Sequence, residues 1–167
     1  MSKRPKYWNS AVKYLSKKDP VMKKLISHYK DKTLTTRKDI FYSLCKSIIG
    51  QQISVQAANS VFKKFENKSF DPKKIKAMTD EEAIIYLSSL RQIGRWSAEM
   101  ILLFTLNRPD IWPIQDIGLL RSISNNYKKK YFPPKKFVES LRKKFSPYCS
   151  VATWYLWRSI DDEPIQY

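Results

Sequence analysis

Few side chains in this sequence can do chemistry, and Asp116 is the most suggestive of them. It sits in Trp112-Pro113-Ile114-Gln115-Asp116-Ile117-Gly118, where a proline-bearing loop gives way to an apolar helical run. A carboxylate at that point has two uses. It can cap the helix by accepting a backbone N–H, a bond worth about 1 kcal/mol. Held ionised in a poorly hydrated pocket, it can also stabilise positive charge developing on a substrate or orient an attacking water. Its own position alone favours the cap. Two further stretches stand out. Leu90-Arg91-Gln92-Ile93-Gly94 is a turn between two helical patterns, a helix-hairpin-helix in which the turn and the next helix's amino end aim backbone N–H groups at a phosphate without reading sequence. Ile48-Ile49-Gly50-Gln51-Gln52-Ile53-Ser54 is a helix-ending turn with two amides at its tip.

Other chemistry is sparsely provided for. His28 is the sole histidine, which excludes any site needing two imidazoles, and it reads as a surface residue of a Val21–Lys30 helix. Cys45 and Cys149 each lie in an apolar helical pattern and are expected as buried free thiols. Four clustered cysteines for an iron–sulfur cluster are absent, and no metal site is expected.

The elements that must position these groups are helical. Residues number 167, 43% of them hydrophobic, with 5 Trp, 10 Tyr and 8 Phe but only 3 Gly, a composition that favours one compact all-α bundle. Ile40, Phe41, Leu44, Ile48 and Ile49, then Val55, Ala58, Val61, Phe62 and Phe65, read as two packed helices. Asp71-Pro72 offers a cap with Pro at the first helical position, and Thr79-Asp80-Glu81-Glu82 is a capping box opening a helix over Glu81–Leu90. The run from Trp96 to Leu106 is apolar nearly all round and is expected as the central buried helix on which the rest packs. Later helices are expected at Pro134–Phe145 and Ser150–Asp161.

Charge narrows the partner. Lys plus Arg number 32 against 15 acidic residues, a net +17, which in a small domain points to a polyanion, nucleic acid first. A solvated lysine surface is the blander account of the same excess. No segment approaches the ~18 apolar residues of a membrane span, and Met1–Trp8 lacks the apolar run of a secretory signal. No membrane partner is expected, and the cytoplasm or nucleoid is the expected location.

The phrases Ile93-Gly94-Arg95-Trp96-Ser97-Ala98-Glu99-Met100, Trp112-Pro113-Ile114-Gln115-Asp116 and Ile48-Ile49-Gly50-Gln51-Gln52-Ile53-Ser54 together resemble the helix-hairpin-helix DNA glycosylase superfamily. The resemblance is greatest to its alkylation-repair branch, the 3-methyladenine DNA glycosylase II type, over roughly residues 36–66 and 78–160. It implies a single glycosylase domain across residues 1–167, with the hairpin at about 81–106, acting as a monomer on double-stranded DNA that contains damaged bases. Members often carry Asp-Asp where this chain has Gln115-Asp116, so Asp116 alone is left as the catalytic carboxylate. Gln52 matches the wedge that fills the gap left by a flipped base. Trp96 matches an aromatic lining the base pocket, Tyr148 lies where a relative has a pocket Trp, and Met100 is placed beside them. Gln92, Gly94 and Arg95 would hold phosphate, with no cofactor beyond a monovalent cation at the hairpin.

The implied reaction is monofunctional hydrolysis, because relatives that attack the sugar with a Lys carry it where this chain has Trp96. An aromatic pocket suits N-alkylated purines, which are cationic and leave without a general acid. Two departures accompany the resemblance. The hairpin's usual first Gly is Gln92, and the helical stretch that members insert between wedge and hairpin is missing, Glu66–Asp71 running almost directly into the next helix. The alternative from another class is a non-catalytic DNA-binding protein on the same hairpin. A third, RNA binding through exposed aromatics, has charge in its favour but no RNA motif.

Overall fold

The structure, a computed structural model, describes residues 4–34, 72–89 and 93–160. Eight helices and no strand occur among them, in accord with the all-α expectation. They are α1 (Trp8–Lys18), α2 (Pro20–His28), α3 (Pro72–Ala77), α4 (Asp80–Ser88), α5 (Arg95–Phe104), α6 (Ile117–Asn126), α7 (Lys135–Phe145) and α8 (Cys149–Arg158). Contacts cluster into two compact units, residues 3–35 with 109–166 and residues 36–108. The expected helices over residues 40–65, with Cys45 and Gln52, and the hairpin residue Gln92 lie outside the described residues.

The first unit is built around α8. Every residue from Cys149 to Arg158 is buried, so this helix, rather than the 96–106 run, is the centre of its unit. Trp8 of α1 meets Trp154 edge-on with ring centroids 5.2 Å apart and lies 5.6 Å from Tyr155. The Tyr29 hydroxyl donates to the Arg158 carbonyl at 2.8 Å. Asp19 joins these helices to the rest. Its Oδ1 accepts the backbone N–H groups of Val21 and Met22 at 2.9 and 3.0 Å, capping α2 ahead of Pro20. The same oxygen accepts the Tyr127 hydroxyl at 3.0 Å, while Oδ2 receives the Lys144 ammonium at 2.5 Å.

In the second unit α4 opens with the expected capping box: Thr79 Oγ1 accepts from Glu82 N at 3.3 Å, and Glu82 Oε2 accepts from Thr79 N at 2.8 Å. Helix α5 is buried from Ser97 to Leu103 and packs on α4, which agrees with the apolar run as a buried helix within this unit. Arg108 closes the unit by donating to the carbonyls of Ile75, Lys76 and Met78 at 3.1, 3.2 and 2.8 Å, which gives the end of α3 its partners.

Candidate active site

The loop that carries Asp116 is fastened along α8. At its start, Asp110 accepts Ser146 Oγ at 2.7 Å and the Cys149 N–H at 3.1 Å. Ser150 N donates to the Pro109 carbonyl at 3.0 Å, and Ser150 Oγ accepts the Ile111 N–H at 2.9 Å. The buried Trp112 then packs edge-on against Phe145 with ring centroids 5.9 Å apart. A tight turn follows, with Asp116 N donating to the Pro113 carbonyl at 2.9 Å. The loop's far end returns to α8 two helical turns further along, about 10 Å from Ser150, where Trp157 Nε1 donates to Asp116 Oδ1 at 2.7 Å.

Asp116 is 8% exposed and is the N-cap of α6. The Leu119 N–H donates to Oδ1 at 2.5 Å, so the cap read from sequence is made. That single oxygen thus accepts from a backbone amide and an indole, two neutral donors that fix the carboxyl plane. Gly118 allows the close approach: a Cβ there would lie 3.2 Å from Asp116 Oδ1 and 3.5 Å from the Trp157 ring. Gln115 is exposed, as are Ile114 and Ile117 on either side of the carboxylate, at 40% and 59%.

Tyr148, in the same unit, is half-buried at the start of α8. Its ring stacks on Tyr7 at 6.4 Å and meets Tyr14 edge-on at 5.4 Å, forming an aromatic cluster with α1. The Tyr14 hydroxyl donates to the Ser146 carbonyl at 2.8 Å. Burial pushes the Tyr7 phenol well above its ordinary pKa, and its hydroxyl has no described partner. Burial likewise raises the Cys149 thiol, with Asp110 adding to the effect, and Cys149 is the buried free thiol expected.

The other candidates belong to the second unit. Gly94 is the exposed N-cap of α5 with φ −80°. A Cβ at Gly94 would meet nothing within 4 Å. Arg95 is held by carboxylates: it donates to both oxygens of Glu81 at 2.7 and 2.8 Å and to Glu99 Oε1 at 3.2 Å. The Glu81 hydrogen bonds raise its pKa further and bind the fork that a phosphate would use. Trp96 is half-buried in the first turn of α5, and Met100 is buried one turn on. Residues 90–92, and with them the expected cation site, fall outside the described residues. His28 is exposed at the end of α2, as expected.

The sequence reading missed Trp157, Asp110 and Ser150, which aim the Asp116 loop, and the buried acids Asp19 and Glu99. Asp110 had a signal, a carboxylate directly after Pro109 in a loop, where such side chains bond nearby backbone. Trp157 had a weaker one, an indole N–H in an apolar helix, which needs an acceptor when buried.

Comparison with known proteins decides the family. Residues 45–147 match the model of the HhH-GPD superfamily of base excision DNA repair proteins. The chain belongs to this superfamily. It is 24% identical over 180 residues to the fission yeast (Schizosaccharomyces pombe) protein DNA-3-methyladenine glycosylase 1, covering 81% of this chain and 79% of that one. Over 108 residues it is 34% identical to the alkylbase DNA glycosidase-like protein mag2 of the same yeast, covering 65% of this chain and about half of that one, 49%. The solved fission yeast 3-methyladenine DNA glycosylase in complex with abasic DNA superposes with a TM-score of 0.63 at 23% identity, over 90% of this chain and 96% of that one. The 3-methyladenine DNA glycosylase of Archaeoglobus fulgidus gives 0.70 at 20% identity, over 90% and 68%. The fold is therefore the all-α helix-hairpin-helix glycosylase fold.

Proposed function

We propose that this chain is a monofunctional DNA glycosylase of the alkylation-repair type, hydrolysing the bond between the sugar and a 3-methyladenine- or 7-methylguanine-like base in duplex DNA. One observation carries the reading: in a base excision repair fold, the buried Asp116 has its Oδ1 fixed by the Leu119 amide and the Trp157 indole. The names of the relatives support the same activity.

An N-alkylated purine is already cationic, so it departs as a neutral base when the C1′–N bond breaks and its electron pair goes to the ring. Positive charge passes to the sugar. An ionised Asp116 stabilises that oxocarbenium character and orients the water that adds to C1′, whose proton passes to the carboxylate and then to solvent. The products are free base and an abasic site without a strand nick. In this reading Gln52 takes the wedge role, Trp96, Met100 and Tyr148 are each assigned to contact the base, and the Gln92–Gly94 turn is assigned to a phosphate. Arg95 reaches DNA only by leaving Glu81, so we assign it the weaker phosphate role.

The test is release of free 3-methyladenine and 7-methylguanine from methylated duplex DNA by the parent and by Asp116→Asn, at matched DNA binding. Release by the parent and its loss in the variant support the assignment. Silence from a folded, DNA-binding parent on these and on other damaged bases leaves the binding-only protein instead.

A further inference from the structure

The connection from α6 to α7, at the opposite end of α6 from Asp116, carries an exposed aromatic surface. Tyr131 and Phe132 are 48% and 61% exposed, and their rings stack on each other with centroids 4.3 Å apart and planes 21° from parallel. Arg121 of α6 adds its guanidinium 5.8 Å from the Tyr131 ring centre. From Ile117 to Val138 the sequence has six basic residues, Arg121, Lys128, Lys129, Lys130, Lys135 and Lys136, and no acidic one. The loop is held in shape: Lys129 N donates to the Ser124 carbonyl at 2.9 Å, Ser124 Oγ donates to the Lys130 carbonyl at 3.2 Å, and Pro133 is buried. Lys128 stands at φ 53°, a conformation usually left to Gly or Asn.

We propose that this surface binds single-stranded DNA, the lysines taking backbone phosphates while unpaired bases extend the Tyr131–Phe132 stack. Exposed aromatics alone also suit a protein partner, but protein interfaces are depleted of lysine, and six cations against a single nearby acid, Glu139, which pairs with Lys135 at 4.0 Å, suit a polyanion. Duplex DNA satisfies the lysines and leaves the ring faces without a base to stack on. A single strand satisfies both, and base–aromatic stacking is tolerant of sequence because every base has a π face. The surface lies beyond the carboxyl end of α6, about 15 Å along the helix from Asp116. It would therefore hold strand away from the reacting nucleotide, such as the unpaired tail of a damaged or resected duplex.

The experiment compares the whole chain with Tyr131→Ala/Phe132→Ala by fluorescence anisotropy on labelled oligo-dT and on a blunt duplex, with base release from methylated duplex as an independent reading. The double variant is expected to bind oligo-dT roughly tenfold more weakly, with less than twofold change in duplex affinity and base release. Tyr131→Phe/Phe132→Tyr, which keeps both rings, is expected to restore oligo-dT binding, while Phe132→Leu, apolar without a ring face, is not. Equal loss on duplex and oligo-dT, full binding by Phe132→Leu, or unchanged oligo-dT binding by the double variant overturns the proposal. So does tighter parental binding to oligo-rU, or loss of binding to anionic phosphatidylglycerol vesicles with oligo-dT unaffected.

Discussion

Asp116 and Asp19 look alike in sequence and in first description: each is a buried aspartate that caps a helix in the same unit. Their surroundings separate them. Asp19 spreads its bonds over both oxygens and includes the Lys144 ammonium. Burial alone would push its pKa up, but Lys144, the Met22 amide and the Tyr127 hydroxyl together hold it below the usual carboxylate range. Asp116 instead has Oδ1 aimed by two neutral N–H donors, the Leu119 amide and the Trp157 indole, with a glycine beside it that makes room. A carboxylate tied to a cation from three helices fastens a fold. At Asp116 the amide and the indole set the direction of the carboxyl group.

Substitutions can break this contrast. Asp116→Asn keeps a good cap and removes the charge, so base release should fall by about 10²–10³-fold, with a thermal midpoint near the parent's. A parallel loss of stability would make Asp116 a second Asp19. Asp19→Ala should do the opposite, costing about 2–3 kcal/mol by urea unfolding through the lost cap and the deserted Tyr127 and Lys144, with base release intact at low temperature. Because Asp19 has a lower pKa folded than unfolded, its contribution is complete above the ordinary carboxylate value, about pH 4, and is lost as pH falls through the folded value. Urea midpoints of the parent should therefore drop on acidification below about pH 4 by more than those of Asp19→Asn.

Smaller changes sharpen the comparison. Trp157→Phe leaves Asp116 Oδ1 one donor short, and a lost hydrogen bond of about 1 kcal/mol should appear as a roughly fivefold fall in kcat with little change in KM. Gly118→Ala places a methyl 3.2 Å from the carboxylate oxygen, and is expected to slow kcat about two- to threefold while the helix gains up to about 1 kcal/mol from the better helix former. Glu81→Gln removes one of the two carboxylates that hold Arg95, an exposed pair worth under about 1 kcal/mol, and should tighten duplex binding slightly, measured by anisotropy at low salt.

Local chemistry accounts for what the sequence disclosed. The Thr79–Glu82 capping box and the cap at Asp116 each close within three residues, and such signals can be read in a line of letters. The buried stretch of α5 was visible because its apolar residues recur on every side. What escaped is non-local. Trp157 reaches Asp116 across 41 positions, and Asp19 finds Tyr127 and Lys144 across 108 and 125. Helix α8 looked like one helix among several because its Cys, Ser, Thr and Arg residues are as buried as its aromatics, and polar burial of that kind is licensed only by partners elsewhere.

That central helix also governs when the protein can come into being. During synthesis α1 and α2 emerge first, and Trp8, Leu15 and Asp19 must wait while more than a hundred residues follow before α7 and α8 arrive to cover them. Chains are extended at about 5–20 residues per second, so the nascent protein carries uncovered aromatic surface for several seconds. The unit that holds Asp116 closes only once residue 158 has cleared the ribosome, and until then its carboxylate can make its local cap to Leu119 but not its bond to the Trp157 indole.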